Sequence, residues 1–125
     1  MKILILEDDG ERVRSFYDMF CDDSLVVVNS SLSAIFLIRE LKFDVIFLDH
    51  DLGGQTYVDS EEQNTGYQVS KIIDDSINKL TPIIIHSWNQ IGVKRMKEVL
   101  KDHKGQVVSV PFGNFDRNIF CLNKI

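Results

Sequence analysis

Five short apolar runs, at residues 3–6, 25–28, 45–48, 83–85 and 107–110, are rich in Val, Ile and Leu and unbroken rather than alternating. A strand with one wet face alternates apolar and polar residues, whereas an unbroken run is expected where helices cover both faces of a parallel sheet. The segments between the runs supply such helices. Val13, Phe16, Tyr17 and Phe20 lie at helical spacing. Ser31 or Ser33 can cap a second helix carrying Ala34, Ile35, Leu37, Ile38 and Leu41. Tyr67, Val69, Ile72, Ile73 and Ile77 mark a third helix after Gly66, and Val93, Met96, Val99 and Leu100 a fourth. A short fifth is expected between Asn114 and Asn123. Strand and helix in alternation imply an α/β fold, a doubly wound five-stranded parallel sheet with right-handed crossovers, built as one domain over residues 1–125.

Composition narrows the function classes. The net charge is −5 and no Lys/Arg stripe stands out, which argues against broad nucleic-acid binding. The longest apolar runs fall far short of the roughly 20 residues that span a bilayer, so no membrane association is expected. The opening Met1-Lys2-Ile3-Leu4-Ile5-Leu6 turns acidic too soon for a signal peptide, which gives a cytoplasmic expectation. Cys21 and Cys121 lie far apart in apolar contexts, without His or Cys neighbours at zinc-ligand spacing. Both are expected to be buried free thiols.

In a doubly wound sheet, ligands bind outside the carboxyl ends of the strands. Glu7, Asp8 and Asp9 follow the first run, Asp49, His50 and Asp51 the third, and His86, Ser87, Trp88 and Asn89 the fourth. Five carboxylates and two imidazoles therefore collect at one sheet edge. Such a cluster repels itself unless a divalent cation offsets the charge. Oxygen ligands favour Mg²⁺ or Mn²⁺, and added imidazole shifts the preference toward Mn²⁺ or another transition metal. Asp9 fits equally well as a helix cap. Asp8 and Asp49 follow two different core strands at matching positions, which favours a joint role. His50 and His86 can act as general acid or base, or as metal ligands. Trp88 fits the core better than a stacking role, and Asn89 fits a helix cap better than a ligand contact. The polar connection from Gly53 to Asn64 is long for such a unit and reads as a lid.

The opening strand with Glu7 and Asp8 resembles the acid pair of response-regulator receiver (CheY-like) domains, whose fold is flavodoxin-like. Val45-Ile46-Phe47-Leu48-Asp49 resembles the strand carrying their phosphoryl-accepting aspartate, and Pro82-Ile83-Ile84-Ile85-His86-Ser87 the strand carrying their switch hydroxyl, here Ser87. The resemblance covers nearly the whole chain and implies that no output domain is attached. Receivers place Lys-Pro after the last strand; this chain reads Val110-Pro111-Phe112 and lacks that lysine. Leu48-Asp49-His50-Asp51-Leu52 together with His86-Ser87-Trp88-Asn89 is similar to a divergent branch, the cyclic-phosphate-processing receiver domains of bacteria and their viruses.

That resemblance implies a metal-dependent phosphodiesterase acting on a cyclic phosphate or cyclic nucleotide. Glu7, Asp8 and Asp49 would hold the metal, and Asp49, His50, His86 and Ser87 would serve catalysis. Asp51, Tyr57, Trp88 and Asn89 would meet the substrate, with Tyr57 or Trp88 stacking on a base. Two other readings stay open: a stand-alone receiver or interaction module with a protein partner, phosphorylated at Asp49 and read out through Ser87, and a protein that captures a nucleotide without cleaving it. A haloacid-dehalogenase-type phosphatase, suggested by Asp49-His50-Asp51, lacks the downstream lysine and acid pair.

Overall fold

In the computed structural model, which describes residues 1–113, strands and helices alternate along the chain. They are β1 (Lys2–Leu6), α1 (Gly10–Met19), β2 (Ser24–Val28), α2 (Ser31–Glu40), β3 (Val45–Leu48), α3 (Gly66–Ser70), a 3₁₀ turn (Ile73–Asp75), β4 (Ile83–Ile85), α4 (Gln90–Val99) and β5 (Val107–Ser109). The five strands form one parallel sheet in the order β2-β1-β3-β4-β5. The chain reverses direction across the sheet between β1 and β3, so the loops leaving these two strands diverge and open a crevice.

Strand residues alternate between the two faces, and on the central strands β1, β3 and β4 both faces are buried. Leu4, Leu6, Ile46, Leu48, Ile83 and Ile85 pack under Ala34 and Ile38 of α2, Val69 of α3, and Val93 and Met96 of α4. Ile3, Ile5, Val45, Phe47 and Ile84 pack on the opposite side under Phe16 and Phe20, with Phe112 against them. Fully burying each such phenylalanine stabilises the fold by about 2–3 kcal/mol. Covering both faces explains why the strands read as unbroken apolar runs.

Three local expectations need correction. The cap of α2 is Ser30, whose Oγ accepts from the Ser33 N–H at 3.3 Å. Ser31 is instead engaged with the distant loop, its Oγ donating to the Gln63 carbonyl at 2.8 Å and its N–H to Asn64 Oδ1 at 2.9 Å. The third helix stops at Ser70, well before Ile77. Ser70 and Ser76 turn their hydroxyls back to the carbonyls of Tyr67 and Ile73, and short polar side chains of this kind compete with helical bonding. Cys21 is exposed rather than buried. Cys121 and the expected fifth helix lie outside the described residues.

Candidate functional site

Strand parity organises the site. Glu7 continues the α1-facing series Ile3, Ile5; Asp49 continues Val45, Phe47; His86 continues Ile84. The three converge beneath α1, each with one possible ligand atom within 4.8 Å of the others. All are buried, at 1%, 3% and 0% exposure. His86 sits among the rings of Phe16, Phe47 and Phe112 and hydrogen-bonds Glu7 Oε1 through Nε2 at 3.0 Å. Its Nδ1 has no hydrogen-bond partner among the described residues.

The two carboxyls differ in proton affinity. Burial alone would raise Glu7, but the His86 hydrogen bond, the Asp9 N–H and the Arg12 charge outweigh it, and Glu7 is held below its ordinary value. Asp49 is pushed up to about 8 by burial and by the Glu7 charge beside it, with Arg12 opposing. His86 is lowered by burial, despite its contact with Glu7, and is neutral. Near pH 7 the pair therefore carries one negative charge and one proton.

The donor set fits a divalent ion. Ligands on opposite sides of an ion bound at about 2.1 Å lie about 4.2 Å apart, so the observed 4.8 Å limit is within a small side-chain adjustment. Two carboxylates with an imidazole suit Mg²⁺ or Mn²⁺, and a cation would let both carboxyls ionise. Asp8 is not in this group: its Oδ2 accepts the Gly54 N–H at 2.6 Å and holds the loop over the site.

A cleft of about 510 Å³ opens above the acid pair, a size that accepts a nucleotide. Asp49 and Ser87 lie at its inner end, Arg12 along one wall, and Tyr57 and Trp88 at the rim. Tyr57 is 75% and Trp88 48% exposed, so Trp88 belongs to the cleft and not to the core. Ser87 Oγ accepts the Asn89 N–H at 3.1 Å, which leaves its own proton free to donate. Arg12 is the one basic residue among those lining the cleft, and reading the strand ends alone missed it. It lies on the first turn of α1, three residues after the cap Asp9, and a helix that starts at the sheet's carboxyl edge was the available signal.

Neither imidazole lines the cleft. His50 has the opposite parity to Asp49 and is fully buried beneath α4, where an added Cβ on Gly92 would fall 2.5 Å from its ring. Its Nδ1–H donates to Asp51 Oδ1 at 2.9 Å, and its Nε2 accepts from the Ser60 hydroxyl at 2.8 Å. This Asp51–His50–Ser60 chain has the order of a serine nucleophile with its base, but Ser60 is 3% exposed and borders no part of the cleft. It is a tie between loop and sheet. Asp51 does border the cleft, yet its oxygens are taken up by the N–H groups of Tyr57 and Val58, by His50 and by Asn89. Asn89 caps α4 through the Gly92 N–H and also donates to the Val58 carbonyl, so it anchors the loop. The loop passes over the cleft with Gly53, Gly54 and Tyr57 at positive φ, a strained state for tyrosine that these anchors maintain.

Solved structures place the fold. The receiver domain of a sensor histidine kinase from Pseudomonas aeruginosa, described with magnesium coordinated in its active-site cleft, matches with TM-score 0.67 and 17% identity over 97% of this chain and 91% of that one. A CheY-like receiver domain from Methylobacillus flagellatus matches with TM-score 0.71 and 14% identity over 99% and 96%. A two-component response regulator from Clostridium difficile matches with TM-score 0.70 and 17% identity over 98% and 90%. The protein thus has the flavodoxin-like receiver fold. Residues 2–102 match the family described as "Cyclic-phosphate processing Receiver domain", and the chain belongs to that family. No curated protein matches the chain. Among the described residues no helix is long and apolar enough to cross a membrane.

Proposed function

We propose that the chain is a metal-dependent phosphodiesterase that opens a cyclic phosphate, either a cyclic nucleotide or a cyclic phosphate at an RNA end. The observation that carries this reading is the buried Glu7–Asp49 pair at the inner end of an open cleft. Its second carboxyl, Asp49, keeps its proton to about 8 because it is buried beside the Glu7 charge, which Arg12 only partly offsets. Glu7, Asp49 and His86 would hold Mg²⁺ or Mn²⁺. When bound, the ion would supply polarisation of the phosphoryl oxygens and acidification of a water.

The chain's own groups divide the remaining work. Before an ion binds, His86 donates Nε2–H to Glu7 and keeps that carboxylate ionised and aimed; as a ligand through Nε2 it would give up that hydrogen bond. Asp49 faces the cleft and would accept a proton from a water that attacks phosphorus as one ring P–O bond breaks, the released ester oxygen taking up a proton. As a covalent nucleophile it would instead form the new P–O bond itself while the ring P–O bond breaks and the ester oxygen is protonated from solvent, and water would then hydrolyse the acyl phosphate. The Ser87 hydroxyl donates to a phosphoryl oxygen. Tyr57 and Trp88 offer exposed ring faces to a base. His50 is assigned no chemical step, because its nitrogens are spent on Asp51 and Ser60.

Turnover should be sought on 2′,3′-cyclic and 3′,5′-cyclic mononucleotides and on cyclic oligonucleotides, with Mg²⁺ or Mn²⁺. Metal-dependent hydrolysis by the wild type and its loss in Asp49→Asn would support the reading; absence of turnover across the panel would reject it. A second reading, a signalling receiver with a protein partner, draws support from the receiver fold and from Asp49 and Ser87 lying together in the cleft. A mass shift of one phosphoryl group after treatment with acetyl phosphate, absent in Asp49→Asn, would favour it. Tight nucleotide binding without either reaction would leave a capture protein.

A further inference from the structure

Arg12 is poorly accounted for as a structural counter-ion. Its Nη1 lies 3.7 Å from Glu7 Oε1 and 4.0 Å from Asp49 Oδ2, and its Nε lies 3.9 Å from Asp9 Oδ2. All three separations exceed hydrogen-bond length, and the side chain makes no hydrogen bond to any described residue. Five N–H donors are thus unspent on a group that is only 30% exposed. The guanidinium is held in place by its seat on an aromatic ring, with Cζ 5.3 Å from the centroid of Phe112. Glu7, Asp8, Asp9, Asp49 and Asp51 are the other ionisable acids and bases of the lining apart from Tyr57, so Arg12 is its one positive group for an anionic ligand.

We propose that Arg12 is the phosphate-binding residue of this cleft, held ready on the Phe112 ring and turned from the acid pair to the ligand when a divalent cation takes its place beside Glu7 and Asp49. This deepens the reading above and rests on it for the cation. A guanidinium has the planar fork that pairs with two oxygens of a phosphate. Its ion pairs with Glu7 and Asp49 are long because the same charge must serve both carboxyls without settling on either. A divalent ion among those carboxyls repels the guanidinium, which already borders the cleft and can move along the Phe112 ring face toward a ligand there. Metal and anion then bind cooperatively, since the first frees the group that binds the second.

The test is titration calorimetry with inorganic phosphate on protein saturated with Mn²⁺, and separately with Mn²⁺ alone, for wild type, Arg12→Ala, Arg12→Lys and Phe112→Leu. Thermal unfolding of each variant checks the fold. Expected are phosphate binding by the wild type, at least tenfold weaker binding by Arg12→Ala, and an intermediate loss in Arg12→Lys, which keeps the charge without the fork. Phe112→Leu should lose two- to fivefold, because the ring that positions the guanidinium is gone. Arg12→Ala should bind Mn²⁺ alone at least as tightly as wild type, since a competing cation has been removed. Phosphate affinity unchanged in Arg12→Ala, or no phosphate binding by the metal-loaded wild type, overturns the proposal. Turnover is not read in this experiment, so a panel without hydrolysis rejects the phosphodiesterase and leaves the Arg12 assignment standing, whereas intact phosphate affinity in Arg12→Ala rejects the assignment and leaves hydrolysis untouched.

Discussion

Replacing Asp49 by Asn should stabilise the metal-free protein, and by an amount that grows with pH. In the unfolded chain Asp49 ionises near 3.8, while in the folded protein it holds its proton to about 8. Between these values the unfolded state binds fewer protons than the folded state, so stability falls as pH rises. The slope for one proton is about 1.4 kcal/mol per pH unit. From pH 4 to pH 7 the full effect is about 4 kcal/mol, and relaxation of the site brings the expected measured change to about 1.5–3 kcal/mol. Glu7 and His86 are both held below their ordinary values and so oppose this slope, Glu7 below about 4.5 and His86 below about 6.5, but both are present in either protein and cancel to first order in the difference. Asn cannot ionise and removes the Asp49 contribution to the slope. The assay is urea unfolding of wild type and Asp49→Asn in EDTA at intervals from pH 5 to 8. The two proteins should lie closest at pH 5 and diverge by at least 1.5 kcal/mol by pH 7.5, equivalent to a Tm difference that widens by about 6 °C. Added Mn²⁺ should then raise the wild type, by about 2.7 kcal/mol at a hundredfold excess over Kd, and leave Asp49→Asn nearly unmoved. A stability difference that stays constant between pH 5 and 8 would refute the reasoning, because it would mean that Asp49 is ionised in the folded protein without a cation.

Three other perturbations probe the frame around the site. Gly92→Ala gains about 1 kcal/mol of helix propensity, but its Cβ meets the His50 ring at 2.5 Å, and that ring is fixed by Asp51 and Ser60; a net loss of about 1–2 kcal/mol is expected in urea unfolding. Ser60→Ala leaves the buried His50 Nε2 without its partner and should cost about 1–3 kcal/mol, with amide exchange at Tyr57 and Val58 at least tenfold faster. Asn78→Ala removes buried bonds to the Phe43 N–H and to the carbonyls of Ile38 and Leu41; a loss of about 2–4 kcal/mol is expected, with Mn²⁺ affinity unchanged because the residue is remote from the cleft.

The sheet was readable because burial on both faces shaped its central strands, and the half-buried edge strands β2 and β5 keep the same Val-rich character. Runs 45–48 and 83–85 coincide with β3 and β4 to the residue. The helix after Gly66 was overestimated because apolar spacing continues to Ile77, while Ser70 and Ser76 end helical bonding through their own hydroxyls. In the site, residue types showed which strand ends carry chemistry, but not which side each residue takes. Alternation does carry that information: Glu7, Asp49 and His86 extend the series packed under α1, and His50 extends the series under the other helices. Ser87 departs from parity because β4 has ended at Ile85, which a pattern of three isoleucines does not reveal. Arg12 and Phe112 come from segments distant in sequence, and only the fold brings a helix start and the end of the last strand together.

The contrast between Asp49 and Asp51 bears most directly on function. They stand two residues apart in one loop, each beside a histidine, and their proton affinities move in opposite directions. Burial would raise Asp51, but Asn89, His50 and the Tyr57 and Val58 N–H groups outweigh it and hold its carboxyl below the ordinary value. Every one of those donors belongs to the loop or to its anchors, so the charge of Asp51 is spent on architecture. Asp49 is raised because the protein surrounds it with burial and with another acid, and supplies only a distant guanidinium in compensation. Left to itself, such a site destabilises the fold. Where two carboxyls in one site are driven apart in this way, the environment has assigned them different tasks. Asp51 fixes the loop that roofs the cleft, and Asp49 is left short of positive charge, the condition that the proposed cation would relieve.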